Sequence, residues 1–255
     1  MTPDADDIIN VRSVLRDLGV IMNDKATWKD HIDKVCSQVN QKAGWVLRTF
    51  KCRTTYFMKQ MWKSLVQGHI DYCSQLWQPL QSGDLQRIEN LQKIYTKRIP
   101  QVRELNYWER LKELKINSQQ RRLERYRIIY TWKVLEGLAP NCGLSETKSD
   151  RSGRQCSIPP INNKSRQSIK TLRNQSFQVH GPQLFNCLPK HIREISKCSI
   201  LDFKEKLDQY LTKIPDQPKV GGLVPTTCDL FNMSPSNSLV DQIREFRAKL
   251  SRNVI

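Results

Sequence analysis

Two stretches of this chain interleave cationic and aromatic side chains in a way suited to holding a polyanion: a cation neutralises a phosphate while a ring stacks on a base. The first comprises Arg121, Arg122, Arg125 and Lys133 with Trp132. At roughly 100° per residue these cations fall within about a third of a helix circumference, flanking Trp132 and opposite a stripe of Leu123, Tyr126, Tyr130 and Val134. A basic helix face is expected. The second stretch is a helix junction carrying Arg48, Lys51, Arg53, Lys59 and Lys63, with Phe50, Tyr56 and Trp62 among them. Its aromatics serve either stacking or a core. Both sets are candidates for contact with nucleic acid, through phosphates and without base specificity, since no groove-reading motif accompanies them.

Other chemistry is poorly provided for. Cys187, His191 and Cys198 form the one Cys/His cluster, but the spacings are loose, a fourth ligand is missing and no Cys-x-x-Cys occurs, so no zinc site is expected. A cysteine nucleophile with His69 or His180 would outline an independent enzyme, yet neither a nucleophile loop nor a phosphate-cradling glycine loop appears. No catalytic residue, metal ligand or small-molecule substrate is assigned.

The composition agrees with a polyanionic partner. Lys and Arg total 42 against 25 Asp and Glu, a net charge of +17, with an isoelectric point near 9.7. Mean hydropathy is −0.61, and no run approaches the roughly 20 apolar residues of a membrane span, so insertion into a membrane is not expected. Met1 to Asn10 carries Asp4, Asp6 and Asp7 and no apolar segment, which fits neither a signal nor a transit peptide. An intracellular chain with its eight cysteines as thiols follows as an expectation.

The elements that must position these residues are mainly helical. Val11 to Ile21, β-branched around Gly19, predicts a short strand or hairpin. Ile32, Val35, Val39, Ala43, Val46 and Phe50 then mark one face of a long helix, and Tyr56 to Trp77 offers it a partner. Ser82 with Asp84 opens a third helix, Trp108, Leu111 and Leu114 lie on a short fourth, and Asn117 with Gln120 is a capping-box pattern opening a fifth. The expected fold class is therefore mainly α: a short N-terminal β element, an antiparallel helical array, a basic linker and a second small helical module. The boundaries are 1–22 for a tail and strand element, 23–139 for the helical domain, 140–176 for the linker, 177–213 for the module, 214–238 for a disordered segment and 239–255 for an exposed terminal helix. The linker holds seven Lys or Arg against two acids and serves either as a phosphate-contacting arm or as a solvated connector.

The order of landmarks carries a resemblance. Arg16-Asp-Leu-Gly-Val20, followed by Trp28 and His31-Ile32, resembles the stretch just after the palm in jockey-like, LINE-type (non-LTR) reverse transcriptases. Leu65-Val-Gln-Gly-His-Ile-Asp-Tyr-Cys73 ending in Leu76-Trp77, then Ile88-Glu-Asn-Leu-Gln-Lys93, then Tyr107 to Leu114, are similar to that family's thumb and post-thumb region. Arg173-Asn174, Phe177, Leu184-Phe-Asn186, Leu188-Pro189 and Phe203-Lys204 resemble its terminal module, so the similarity runs from about Asn10 to Leu211.

That resemblance implies a role for Leu18, Gly19 and Val20 as a primer-grip-like element, RNA or an RNA/DNA hybrid as partner, and the rest of a reverse transcriptase as a further candidate partner. It implies no cofactor for this chain, because Mg²⁺ belongs with the carboxylates of the palm. Ala5-Asp6-Asp7 imitates the family's catalytic Asp-Asp box, but Asp7 stands only 12 positions before Gly19, too close for the intervening elements. The expectation is a nucleic-acid-gripping segment without polymerase activity of its own. The alternative is a helical protein-interaction module with a basic surface.

Overall fold

The computed structural model describes residues 13–25, 27–78, 82–160, 166, 169–170, 173–174, 176–216 and 238–252. The Asp6-Asp7 pair and nearly all of the segment expected to be disordered lie outside them. Among the described residues the chain is mainly helical and begins with a β-hairpin, as the periodicities imply.

The hairpin pairs β1 (Val14–Asp17) with β2 (Val20–Asn23) in antiparallel register, Asp17 opposite Val20. Leu18 and Gly19 form the two-residue turn with φ of 43° and 88°. Positive φ at both central positions defines the turn whose twist matches a hairpin, and glycine supplies it without strain at the second. Gly19 therefore serves the turn. Among the described residues of this chain no other backbone comes close to it: an added Cβ would meet Tyr72 Cε1, at 3.9 Å.

The first helical layer follows. α1 (Lys29–Thr49) buries Ile32, Val35, Val39 and Val46, the expected stripe. The chain then returns along it through α2 (Thr55–Met61), a π-helical turn (Trp62–Val66), α3 (Gln67–Asp71) and α4 (Ser74–Trp77), where the sequence pattern implied one unbroken helix. The break falls at Cys73, whose φ is 51°. Trp77 consequently reaches back to His31, ring centroids 5.1 Å apart, at the start of α1. α5 (Ser82–Thr96) reverses the chain again, so α1 and α5 point the same way, with Asp33 paired to Arg87 near their starts. Their C-terminal ends lie side by side. These helices, joined by a 3₁₀ turn (Pro100–Val102) and α6 (Tyr107–Leu114), enclose one core around Met58, Trp62, Trp77, Ile88 and Tyr95.

α7 (Gln119–Leu135) belongs to two cores at once. Leu123 packs into the first, whereas Ile128, Ile129, Trp132 and Val134 pack into a second with α8 (Phe177–Cys187), α9 (Lys190–Arg193), α10 (Ile200–Thr212) and α11 (Leu239–Arg252). Thus the helical array and the small module share a central helix. Its start is capped by Ser118, whose side chain accepts from Arg121 N, and not by the expected box from Asn117.

Two expectations need correction. The basic linker contains a second hairpin, β3 (Glu146–Ser149) with β4 (Gly153–Cys156), held because Cys156 and Leu144 enter the second core and the Asn186 side chain bonds both backbone groups of Cys156 at 2.8 Å. The terminal helix α11 is not exposed on all sides: Leu239 and Ile243 are fully buried against that core.

Candidate nucleic-acid interface

The basic face of α7 faces inward. Arg121 is 4% exposed. Its guanidinium donates to the carbonyls of Leu211 (3.2 Å), Ile214 (2.5 Å) and Pro215 (2.9 Å) and to Gln242 Oε1, and it stands 3.4 Å from Asp216. Arg122 forks onto Asp71 with contacts of 3.0 and 2.6 Å, and Arg125 forks onto Asp208 with contacts of 2.5 and 2.7 Å. Bidentate pairs of this kind consume both oxygens of the carboxylate and most of the guanidinium fork, leaving little for a phosphate. Trp132 is fully buried, stacked on Phe203 with centroids 4.4 Å apart, and its indole N–H donates to Ile195 O at 2.8 Å. Lys133 is half-buried beside it. Of the expected solvent-facing surface, Arg121 and Trp132 therefore lie in an internal seam, with Arg122 and Arg125 ion-paired and partly exposed along its edge. The cause is the second module, which covers the side of α7 that the first core leaves open and brings Asp208 and Asp216 with it.

Two carboxylates are buried against or on this helix, Glu89 from α5 and Glu124 from α7 itself. Glu89 accepts from Tyr107 Oη and from Gln119 N (2.8 Å), closing the start of α7, and burial pushes its pKa up to about 7. Glu124 accepts from Leu239 N at 2.8 Å, closing the start of α11, and burial raises it likewise to about 7. His180, whose Nδ1 lies 2.8 Å from Arg127, is pushed down to about 3 by burial and then by that guanidinium. A buried group resists its charged form unless partners replace the lost water. These groups cap helices and bind the two cores together; their position gives them no access to a large ligand.

The junction set divides. Arg48 and Arg53 line an open groove of about 850 Å³ together with Lys97, Arg98 and Arg103, over a floor of Gly44, Leu47, Ile94 and Pro100. Five cations and no carboxylate line it. The C-terminal ends of α1 and α5 also point there, but each contributes only about half a negative charge, so the groove stays positive by about four charges. Arg53 also donates to Leu47 O, which holds it across the wall, while Arg103 makes an exposed pair with Glu104 at 3.0 Å. Exposed pairs of that kind contribute at most about 1 kcal/mol and yield readily to a phosphate.

Lys51 is exposed on the loop between α1 and α2 and does not line the groove. Lys59 and Lys63 stand apart from it too; the pKa of Lys63 is lowered by partial burial and then by Lys59 and Arg122 nearby. Phe50 and Trp62 are half-buried and buried in the first core, whereas Tyr56 is 74% exposed. Sequence reading missed Lys97, Arg98 and Arg103. Their signal was present as a cationic run closing the third helix, but only the parallel course of α1 and α5 brings it to Arg48.

The hairpin residues are poised at the surface. Leu18 is 82% exposed at the tip, its carbonyl accepting from Tyr72 Oη at 2.8 Å, and Gly19 O accepts from Lys34 Nζ at 2.8 Å. Val20 is buried and ties the hairpin to α1. Cys187 and Cys198 pack against the second core, and His191 lies edge-on to Tyr210 at 6.3 Å. Among the described residues no group of three or more His, Cys, Asp or Glu converges as a metal site, and no helix is long and apolar enough to cross a membrane. Compared with known proteins, the chain matches no family model, no curated protein and no solved structure.

Proposed function

We propose that this chain is a nucleic-acid-binding segment of the kind found C-terminal to the palm in LINE-type reverse transcriptases, holding RNA or an RNA/DNA hybrid by its phosphates. One observation carries this reading: the groove at the ends of α1 and α5, lined by Arg48, Arg53, Lys97, Arg98 and Arg103 with no carboxylate among its lining. A net charge of +17 draws a polyanion to the surface, and the groove gives it a place to rest. The order of sequence landmarks supplies the family. The chain binds and positions, while the chemistry of DNA synthesis belongs to a palm; templated synthesis by the purified chain would contradict that division.

A second reading has its own support. Val14, Leu15, Leu18, Tyr72 and Leu76 are all 48% exposed or more around the hairpin, an apolar surface of the sort a protein partner covers. Titration of the purified chain with labelled single-stranded RNA, an RNA/DNA hybrid and an acidic protein, each at several salt concentrations, separates the two. Tight nucleic-acid binding that falls steeply with salt supports the proposal. Preference for the acidic protein, or no nucleic-acid binding at low salt, rejects it in favour of the interaction module.

A further inference from the structure

An exposed aromatic ring stands on the same helix as part of the groove's basic wall. Of six tryptophans, Trp62, Trp77, Trp108 and Trp132 are buried and Trp28 is half-buried against the first core, whereas Trp45 is 45% exposed. Trp45 follows Gly44 and precedes Leu47 and Arg48, all three of which line the groove. Trp45 is not itself part of the lining; on a helix it stands about 60° around the axis from Arg48, on the flank of α1 next to that wall.

The indole is not loose there. It meets Phe50 edge-on, centroids 5.7 Å apart with planes at 86°, and Phe50 in turn meets Phe57 at 5.3 Å and 66°. This ladder anchors the ring to the core and fixes its orientation, leaving nearly half of it uncovered. Gly44 keeps the wall beside it low: an added Cβ would meet Arg48 Nη1 at 3.2 Å. A large ring left nearly half in water next to this wall forgoes part of the stabilisation that full burial would bring.

We infer that the groove takes single-stranded nucleic acid in preference to a duplex, with one base stacked on Trp45 while the flanking phosphates meet Arg48, Lys97 and Arg98. This rests on the reading of the groove as a nucleic-acid interface. A single strand presents free ring faces to an aromatic platform, and every base has one, so sequence matters little. In a duplex those faces are already stacked on their neighbours, and only the phosphates remain to be held.

The test compares anisotropy of labelled single-stranded RNA, the same RNA as a duplex, and an abasic strand of equal length, on the wild-type chain and on the variants Trp45→Leu and Trp45→Phe. The expected result is tighter binding of the single strand than of the duplex or the abasic strand. Trp45→Leu should weaken single-strand binding roughly 5- to 100-fold, with most of the loss restored by Trp45→Phe and the salt slope unchanged. Circular dichroism checks that each variant folds. Equal affinity for all three ligands, or a silent Trp45→Leu, overturns the inference while the groove stands. Failure of any nucleic acid to bind at low salt overturns the inference and the groove reading together.

Discussion

Two regions of this molecule have the same composition and opposite fates. The α7 face and the α1–α5 groove are each built from arginines and lysines beside aromatics, yet Arg121, Arg122 and Arg125 end in ion pairs and carbonyl cages while Arg48, Lys97 and Arg98 end in water. The difference lies in their neighbours. Asp71, Asp208 and Asp216 are delivered to α7 from 51 residues before Arg122, 83 after Arg125 and 95 after Arg121, whereas the groove lining holds no carboxylate and only Arg103 has an acidic partner, the exposed Glu104 next to it. A run of positive charge therefore stays open to a polyanion only where the fold does not lock it into carboxylates.

The largest effect that would sharpen the contrast is on stability. Arg121→Met takes a buried donor from the carbonyls of Ile214 and Pro215 and the countercharge from Asp216, which keeps its bonds from Ser118, and should cost about 2 kcal/mol or more, read from the urea midpoint. A cost near zero would mean that Arg121 is solvated after all and would reopen α7 as a binding face.

The next effect is a pH dependence confined to the seam. The carboxyls of Glu89 and Glu124 hold their protons to about 7 in the fold, against 4.5 ordinarily. Their contribution to stability is thus fully present below 4.5 and is lost as pH rises through 7. His180, held down to about 3, acts in the opposite sense: its contribution is present above 6.5 and is lost as pH falls towards 3. Glu89→Gln should remove about 2–3 kcal/mol of the decline in stability between about pH 5 and about pH 8. Urea melts at the two pH values check this, and an unchanged decline would contradict the burial assigned to Glu89. Binding in the groove should follow neither trend, since none of these three groups lines it.

Much of this architecture was readable from apolar period alone. The stripe Ile32, Val35, Val39 and Val46 gave α1 its length and its inner face, and Trp108, Leu111 and Leu114 did the same for the inner face of α6. The β3–β4 hairpin was not readable, because its buried residues include Arg154, an ion-paired cation that the sequence shows only as charge, and Cys156. The seam in α7 escaped for the same reason: paired arginines and free ones are identical letters. Of the groove, Arg48 and Arg53 were visible, whereas Lys97, Arg98 and Arg103 required knowing that two helices point the same way.

The most direct measurement is the salt dependence of single-stranded RNA binding to two variants. Arg48→Gln/Lys97→Gln/Arg98→Gln should lower the slope of log affinity against log salt by about 2, or roughly 0.7 per lost phosphate contact, while Arg122→Gln/Arg125→Gln, assayed where it remains folded, leaves the slope as in the wild type. The reverse pattern, a flattened slope on changing α7 and none on changing the groove, would contradict the account.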